Sequence, residues 1–334
     1  MRRAAAYALY LSADAWSPAF AGQLAQIAVD PAGNVFVPMG ANVAVRLGQY
    51  EEGYAFNWNG TATDSWADST NWTANRTPGT GEWVCLNGDV HVPNGVTATV
   101  AGLQANRRSL ILDGTLTVTT FMTGASSMTG TGTFTAGETL TWSASWIGVA
   151  TVNYGTLSID PAAHGYLSTT LVNRGTLTAE TTNGSGWYFL DGSVDNYGTL
   201  NLGGRYLGNN TGTTSIINRP GATLTTAGAY IAVPVTLDGV LTNTGTERTY
   251  IREAALFDTS GPVVTGGFTI HTLTVPGTGS TLAATGDPLH VADITGGTLT
   301  IPATGRLSID PTTTGYLSTT LVNRGTLTAE TTNG

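Results

Sequence analysis

The chain has no lysine: its 13 basic residues are all arginine, set against 22 acidic ones for a net charge of −9. That balance makes a nucleic-acid surface a poor reading, because binding to phosphate backbones needs clustered cations. Cysteine is almost missing. Cys85 stands alone, which excludes an internal disulfide framework and a cysteine-based zinc site; a small side chain buried in a strand accounts for it. Only 10% of residues are charged, too few for disorder driven by charge. No apolar run approaches the roughly 20 residues of a membrane helix. The four histidines, at positions 91, 164, 271 and 290, lack metal-ligand spacing. No nucleophile elbow, phosphate loop or dinucleotide fingerprint occurs, and no cofactor is implied.

What is plentiful is glycine, 44 of 334 residues, together with threonine. Turn formers mixed with β-branched residues predict many short strands. Two readings compete for residues 1–52. "MRR", "AAAYALYL" and "AFA" resemble a short secretory signal. Alternatively this is the tail of a preceding small α+β domain. In that case Ser17 caps a helix begun by Pro18, and "NVFVP" and "NVAVRL" follow as strands.

Residues 157–184 and 307–334 are near copies. They differ only where Ala162, Ala163 and His164 become Thr312, Thr313 and Thr314, which implies recent duplication. In the first copy the text runs on into "SGWYFLDGS", so a similar continuation is expected after Gly334, with further coils in the intact protein.

A shorter repeat lies inside the long one. "NYGTLSI", "NRGTLTA", "NYGTLNL", "NRPGATLTT" and "DGVLTN" place Leu157, Leu177, Leu200, Leu224 and Leu241 at spacings of 20, 23, 24 and 17. Periods in this range mark solenoids. Alternation with period two puts leucine on one face and threonine on the other. Strands this short need equivalents above and below to pair with, and stacking makes their apolar faces one core. A coil of about 22 residues fits a rung of a parallel β-helix. The fold class is therefore all-β, a single-stranded parallel β-helix over 90–334, with a Trp-rich leader at 53–89. Asn153, Asn173, Asn196, Asn218 and Asn323 fall at equivalent turns, where asparagine tolerates the left-handed conformation and the following glycine relieves the bend. Stacked at about 4.8 Å, their amides form a hydrogen-bonded ladder.

These coils, and the leader carrying Trp58, Gly60, Trp66, Asn71, Trp72, Pro78 and Gly79, resemble the right-handed β-helices of large bacterial surface proteins, the autotransporter passengers and filamentous-haemagglutinin-like adhesins. The resemblance implies a secreted or cell-surface bacterial protein, a structural or adhesive stalk without catalytic residues. Its partners would be glycans or proteins of a host or cell surface. The leader has a physical task, since Trp58, Trp66, Trp72 and Trp83 can close the exposed end of the first coil.

The same architecture hosts polysaccharide lyases and hydrolases, so a carbohydrate-binding or polysaccharide-degrading protein is the alternative. Glycoside hydrolysis wants two carboxylates about 5–10 Å apart. Asp113, Asp160, Glu180, Asp191, Asp195 and Asp238 are the candidates, though turns explain most of them. Ligand contacts are expected on loops leaving the coil. The candidates are 184–192, which carries Trp187 and Tyr188, and the charged stretch 243–264.

Overall fold

In the computed structural model the chain divides into two units, Met1–Tyr54 and Ala55–Gly334. It describes strand backbones Ala28–Val29, Asn34–Pro38 and Ala44–Gln49 in the first. In the second it describes residues 55–329 apart from 59, 61–63, 106–107, 124–126, 143–145, 160–164, 180–186, 190–191, 205, 210–213, 257–260 and 310–315.

The three strands of the first unit form an antiparallel sheet. "NVFVP" and most of "NVAVRL" are thus strands, as the folded reading of this segment expects. The helix expected after Ser17 lies outside the described residues.

The second unit is a parallel β-solenoid of about 10 turns. The described strand pairs in it are parallel, apart from an isolated antiparallel bridge between Trp58 and Trp72. Thr156, Leu157 and Ser158 lie directly beside Thr176, Leu177 and Thr178, in the same direction. The five leucines picked out by their spacing all fall in one column. That column runs Phe56, Val84, Leu103, Met122, Leu140, Leu157, Leu177, Leu200, Leu224, Leu241, Val264 and Ala284, with no level missed. Each of these side chains is at most 3% exposed. The physical cause is the one the alternation implies. A strand of four residues cannot bury both faces, so it turns leucine inward and threonine outward, and its neighbours above and below complete the hydrogen bonds.

The Trp-rich leader is the opening of this same solenoid. Ala55–Asn57 pairs with Trp83–Cys85, and the buried Trp58, Trp66 and Trp72 join the continuous core. Trp72 meets Trp58 and Trp66 edge-on, with centroids 4.9 and 4.8 Å apart, and its indole Nε1 donates to the Trp66 carbonyl at 2.9 Å. Edge-on packing suits the ring quadrupole, and the bonded Nε1 removes the cost of burying an indole N–H. Gly60 follows Trp58 at φ 44, and a Cβ there would lie 2.4 Å from the Trp58 Nε1. Trp83 does not belong with the other three. It is 47% exposed, because the alternation of its strand turns Val84 inward and leaves Trp83 on the outer surface over Gly102.

Two expected loops are corrected. Within 243–264, Thr249–Leu256 is a strand that pairs on one side with Tyr230–Ile231 and Val235–Leu237 and on the other with Phe268–Val275. Its charge marks a corner: Arg252 and Glu253 are successive exposed residues where the strand passes from one face of the coil to the next. Trp187–Phe189 is likewise a strand, lying between Gly165–Leu167 and Tyr206–Asn209.

Candidate functional site

Side-chain ladders are what this architecture builds: parallel coils bring the same position of each repeat to one line. The inward ladder is made by Asn153, Asn173, Asn196 and Asn218, all fully buried. Each Nδ2 donates to the Oδ1 of the next: Asn153 to Asn173 at 2.8 Å, Asn173 to Asn196 at 2.7 Å and Asn196 to Asn218 at 2.8 Å. The second N–H of each reaches a backbone carbonyl, those of Thr176, Thr199, Thr223 and Val240 in turn, at 2.9–3.0 Å. A buried amide is tolerated only when its donors and acceptors are met, and the repeat meets them with copies of itself. The chain of bonds runs one way, so the Oδ1 of Asn153 has no donor: its neighbour one coil back is Ala136.

Asn323 does not join this ladder. It sits in register with Ile301, and its Oδ1 accepts from the Gly325 N–H at 3.0 Å.

The reason given for the Asn–x–Gly spacing also changes. None of the ladder asparagines is left-handed; Asn75, at φ 52, is the described non-glycine residue with positive φ. Gly155, Gly175 and Gly198 do not have positive φ either. They are needed because successive turns touch. A Cβ on Gly155 would lie 1.7 Å from the Gly137 carbonyl oxygen. On Gly175 it would lie 2.1 Å from that of Gly155, and on Gly198 2.1 Å from that of Gly175. The tight turn is a column of backbone contacts.

The residue after each ladder asparagine points out and alternates: Tyr154, Arg174, Tyr197, Arg219. The Arg174 guanidinium lies over the Tyr197 ring at 4.7 Å and that of Arg219 at 5.4 Å. Arg219 also forks onto Asp195, Nε to Oδ1 at 2.6 Å and Nη2 to Oδ2 at 3.0 Å. Such stacks hold arginine in place at a modest gain each. The signal was in the motif text, which reads N-Y-G, N-R-G, N-Y-G, N-R-P, but only the register makes the four residues neighbours. A second outward column, Tyr206, Tyr230 and Tyr250, sits directly paired on three successive strands.

Among the described residues the acidic candidates fall in two places: Asp195 and Asp238 both act on Arg219, and Asp113 faces His91. Asp195 is committed to Arg219, while Asp160, Glu180 and Asp191 lie outside the described residues. Asp113 pairs with His91, Oδ2 to Nε2 at 3.0 Å, and its Oδ1 accepts from both the N–H and the hydroxyl of Thr131 at 3.0 Å. Those bonds, first from the Thr131 backbone, then its hydroxyl, then His91, hold the Asp113 carboxyl below its usual range. A depressed carboxylate helps the fold above its unfolded-state value and loses that help as pH falls through the folded one. Thr131→Val removes the hydroxyl donor and keeps the N–H. The Asp113 midpoint, read by carboxyl-carbon NMR, should rise part of the way to the ordinary value, and an unmoved midpoint would assign the shift to other groups.

Trp187 and Tyr188, the expected ligand contacts, are placed by their backbone in a coil strand; their side chains lie outside the described residues. Among the described residues no group of three or more His, Cys, Asp or Glu is arranged to hold a metal ion, and no helix is long and apolar enough to cross a membrane. No family model, no curated protein and no solved structure matches the chain.

Proposed function

We propose that this chain is a structural or adhesive stalk segment of a bacterial surface protein, similar to autotransporter passengers and filamentous-haemagglutinin-like adhesins, carried outside the cell and without catalytic residues of its own. The observation that supports this reading is the uninterrupted column from Phe56 to Ala284, one buried apolar side chain at each level. A stack of about 10 turns at about 4.8 Å per coil spans roughly 50 Å. Such a rod holds its outer side chains at fixed spacing, which suits presentation of repeated contacts to glycans or to proteins of a host or cell surface. The low charge and hydroxyl-rich outer face keep a long β-surface hydrated without drawing nucleic acid.

A carbohydrate-binding or polysaccharide-degrading solenoid is the second reading, and the exposed rings of Tyr154, Tyr197 and Trp83 favour it. Three measurements separate the two. Antibody raised to residues 55–329 should label intact producing cells, and a screen against polysaccharides should give no turnover. Label that appears only after lysis would sink the surface reading. Turnover abolished by one carboxylate substitution would establish an enzyme. Glycan-array binding lost on Trp187→Ala would establish a sugar-binding module.

A further inference from the structure

Tyr206, Tyr230 and Tyr250 occupy one outward position on three consecutive strands. Their rings are stacked nearly parallel. The centroids of Tyr206 and Tyr230 are 5.4 Å apart with 14° between planes, and those of Tyr230 and Tyr250 are 4.9 Å apart with 12°. Tyr230 is 41% exposed, so a soluble oxidant reaches it. Tyr197, also exposed, is flanked instead by Arg174 and Arg219. With one cysteine and no lysine, the chain has neither a disulfide nor a lysine amide with which to tie one coil to the next. Tyrosine is the side chain left to it for a carbon–carbon link.

We propose that the tyrosine stack is a site of oxidative cross-linking, in which Tyr230 couples to Tyr250 and staples two successive coils on the outside of the solenoid. The oxidant is hydrogen peroxide acting through a haem peroxidase. One peroxide takes one electron and one proton from each phenol and leaves as two waters. The two tyrosyl radicals join between ring carbons ortho to the oxygens, and the hydrogen on each coupling carbon passes to the phenol oxygen. The product is a dityrosine, two hydrogen atoms lighter than the starting chain. The fixed register makes this bond favourable over others, because the partner ring is already in contact and the radicals need not find each other by diffusion. Tyr230–Tyr250 is the chosen pair because it is the closer of the two contacts. The cross-link is independent of where the protein resides.

The test uses the full chain, dilute, with peroxidase and hydrogen peroxide. Dityrosine fluorescence should appear in the monomer, and the intact mass should fall by two hydrogens. Trypsin leaves Tyr230 in the peptide 206–248, since Arg219 precedes proline, and leaves Tyr250 in the tetrapeptide Thr249–Arg252. A covalent union of those two peptides is the expected result. Tyr230→Phe, which keeps the ring, should reduce intramolecular dityrosine to background, whereas Tyr154→Phe should leave it unchanged. Should Tyr230→Phe fail to fold by circular dichroism, Tyr250→Phe must abolish the same peptide union. The proposal is overturned by a cross-link that survives Tyr230→Phe, by dityrosine found only between molecules, or by a link that excludes Tyr250.

Discussion

Gly175→Ala should cost the solenoid about 3–5 kcal/mol and open its middle coils, although alanine is the smallest change a glycine can undergo. The added Cβ would sit 2.1 Å from the Gly155 carbonyl oxygen, a contact with backbone that no rotamer can relieve. Relief has to come from spreading two turns, and spreading them lengthens the hydrogen bonds on both sides, among them Thr176 N–H to the Gly155 carbonyl at 2.8 Å. Gly277→Ala is the matched control. Nothing lies within 4 Å of a Cβ there and its φ is ordinary. It should be neutral or stabilising by about 0.5 kcal/mol, through the entropy of the unfolded chain. Urea midpoints of the two variants should move in opposite directions or differ sharply. Because each coil touches only its neighbours, hydrogen exchange in Gly175→Ala should speed up around 155–198 before it does near the Trp cluster. Equal effects at Gly175 and Gly277 would show that the turns have slack.

Asn173→Ala should be nearly as damaging. Asn173 is fully buried and makes three ladder bonds: it accepts from Asn153 and donates to Asn196 and to the Thr199 carbonyl. Truncation removes all three and leaves desolvated polar atoms behind, each at about 1–3 kcal/mol, for a loss of about 3 kcal/mol or more. The mechanism makes a further demand. Replacing all four ladder asparagines by leucine together removes the amide donors with their amide acceptors, so it should cost less than the four single truncations summed. The column already holds leucine at the next levels, Leu237 and Leu256, so the shape is accommodated. Additive losses would mean that the amides act singly and that the ladder is only a row.

The leucine column is legible in the sequence because two local rules agree on it. Period-two alternation says which side faces in, and the 17–24 residue spacing says which residues meet. Trp83 and the stretch 243–264 depart from expectation for a shared reason. Composition marked them, as one more tryptophan and as a run of charge, whereas orientation is set by the pleat of the strand each lies on. Trp83 has Val84 beside it to take the core, and Arg252–Glu253 falls at a corner where two successive residues both face water. The asparagine–glycine turn owes its glycine to close approach between coils, which is not visible in one coil alone.

The amino-acid sequence by itself determined the strand alternation, the coil length and the all-β parallel solenoid, because these follow from what four or five consecutive residues do with water and from how often the pattern returns. The tertiary structure alone decided which equal residues are unequal. Asn173 lies between Asn153 and Asn196 while Asn323 lies beside Ile301, and Tyr197 between two arginines while Tyr230 lies between two tyrosines. A parallel stack joins positions about twenty residues apart. The chemistry of each ladder therefore belongs to the coils above and below it, and no single repeat contains it.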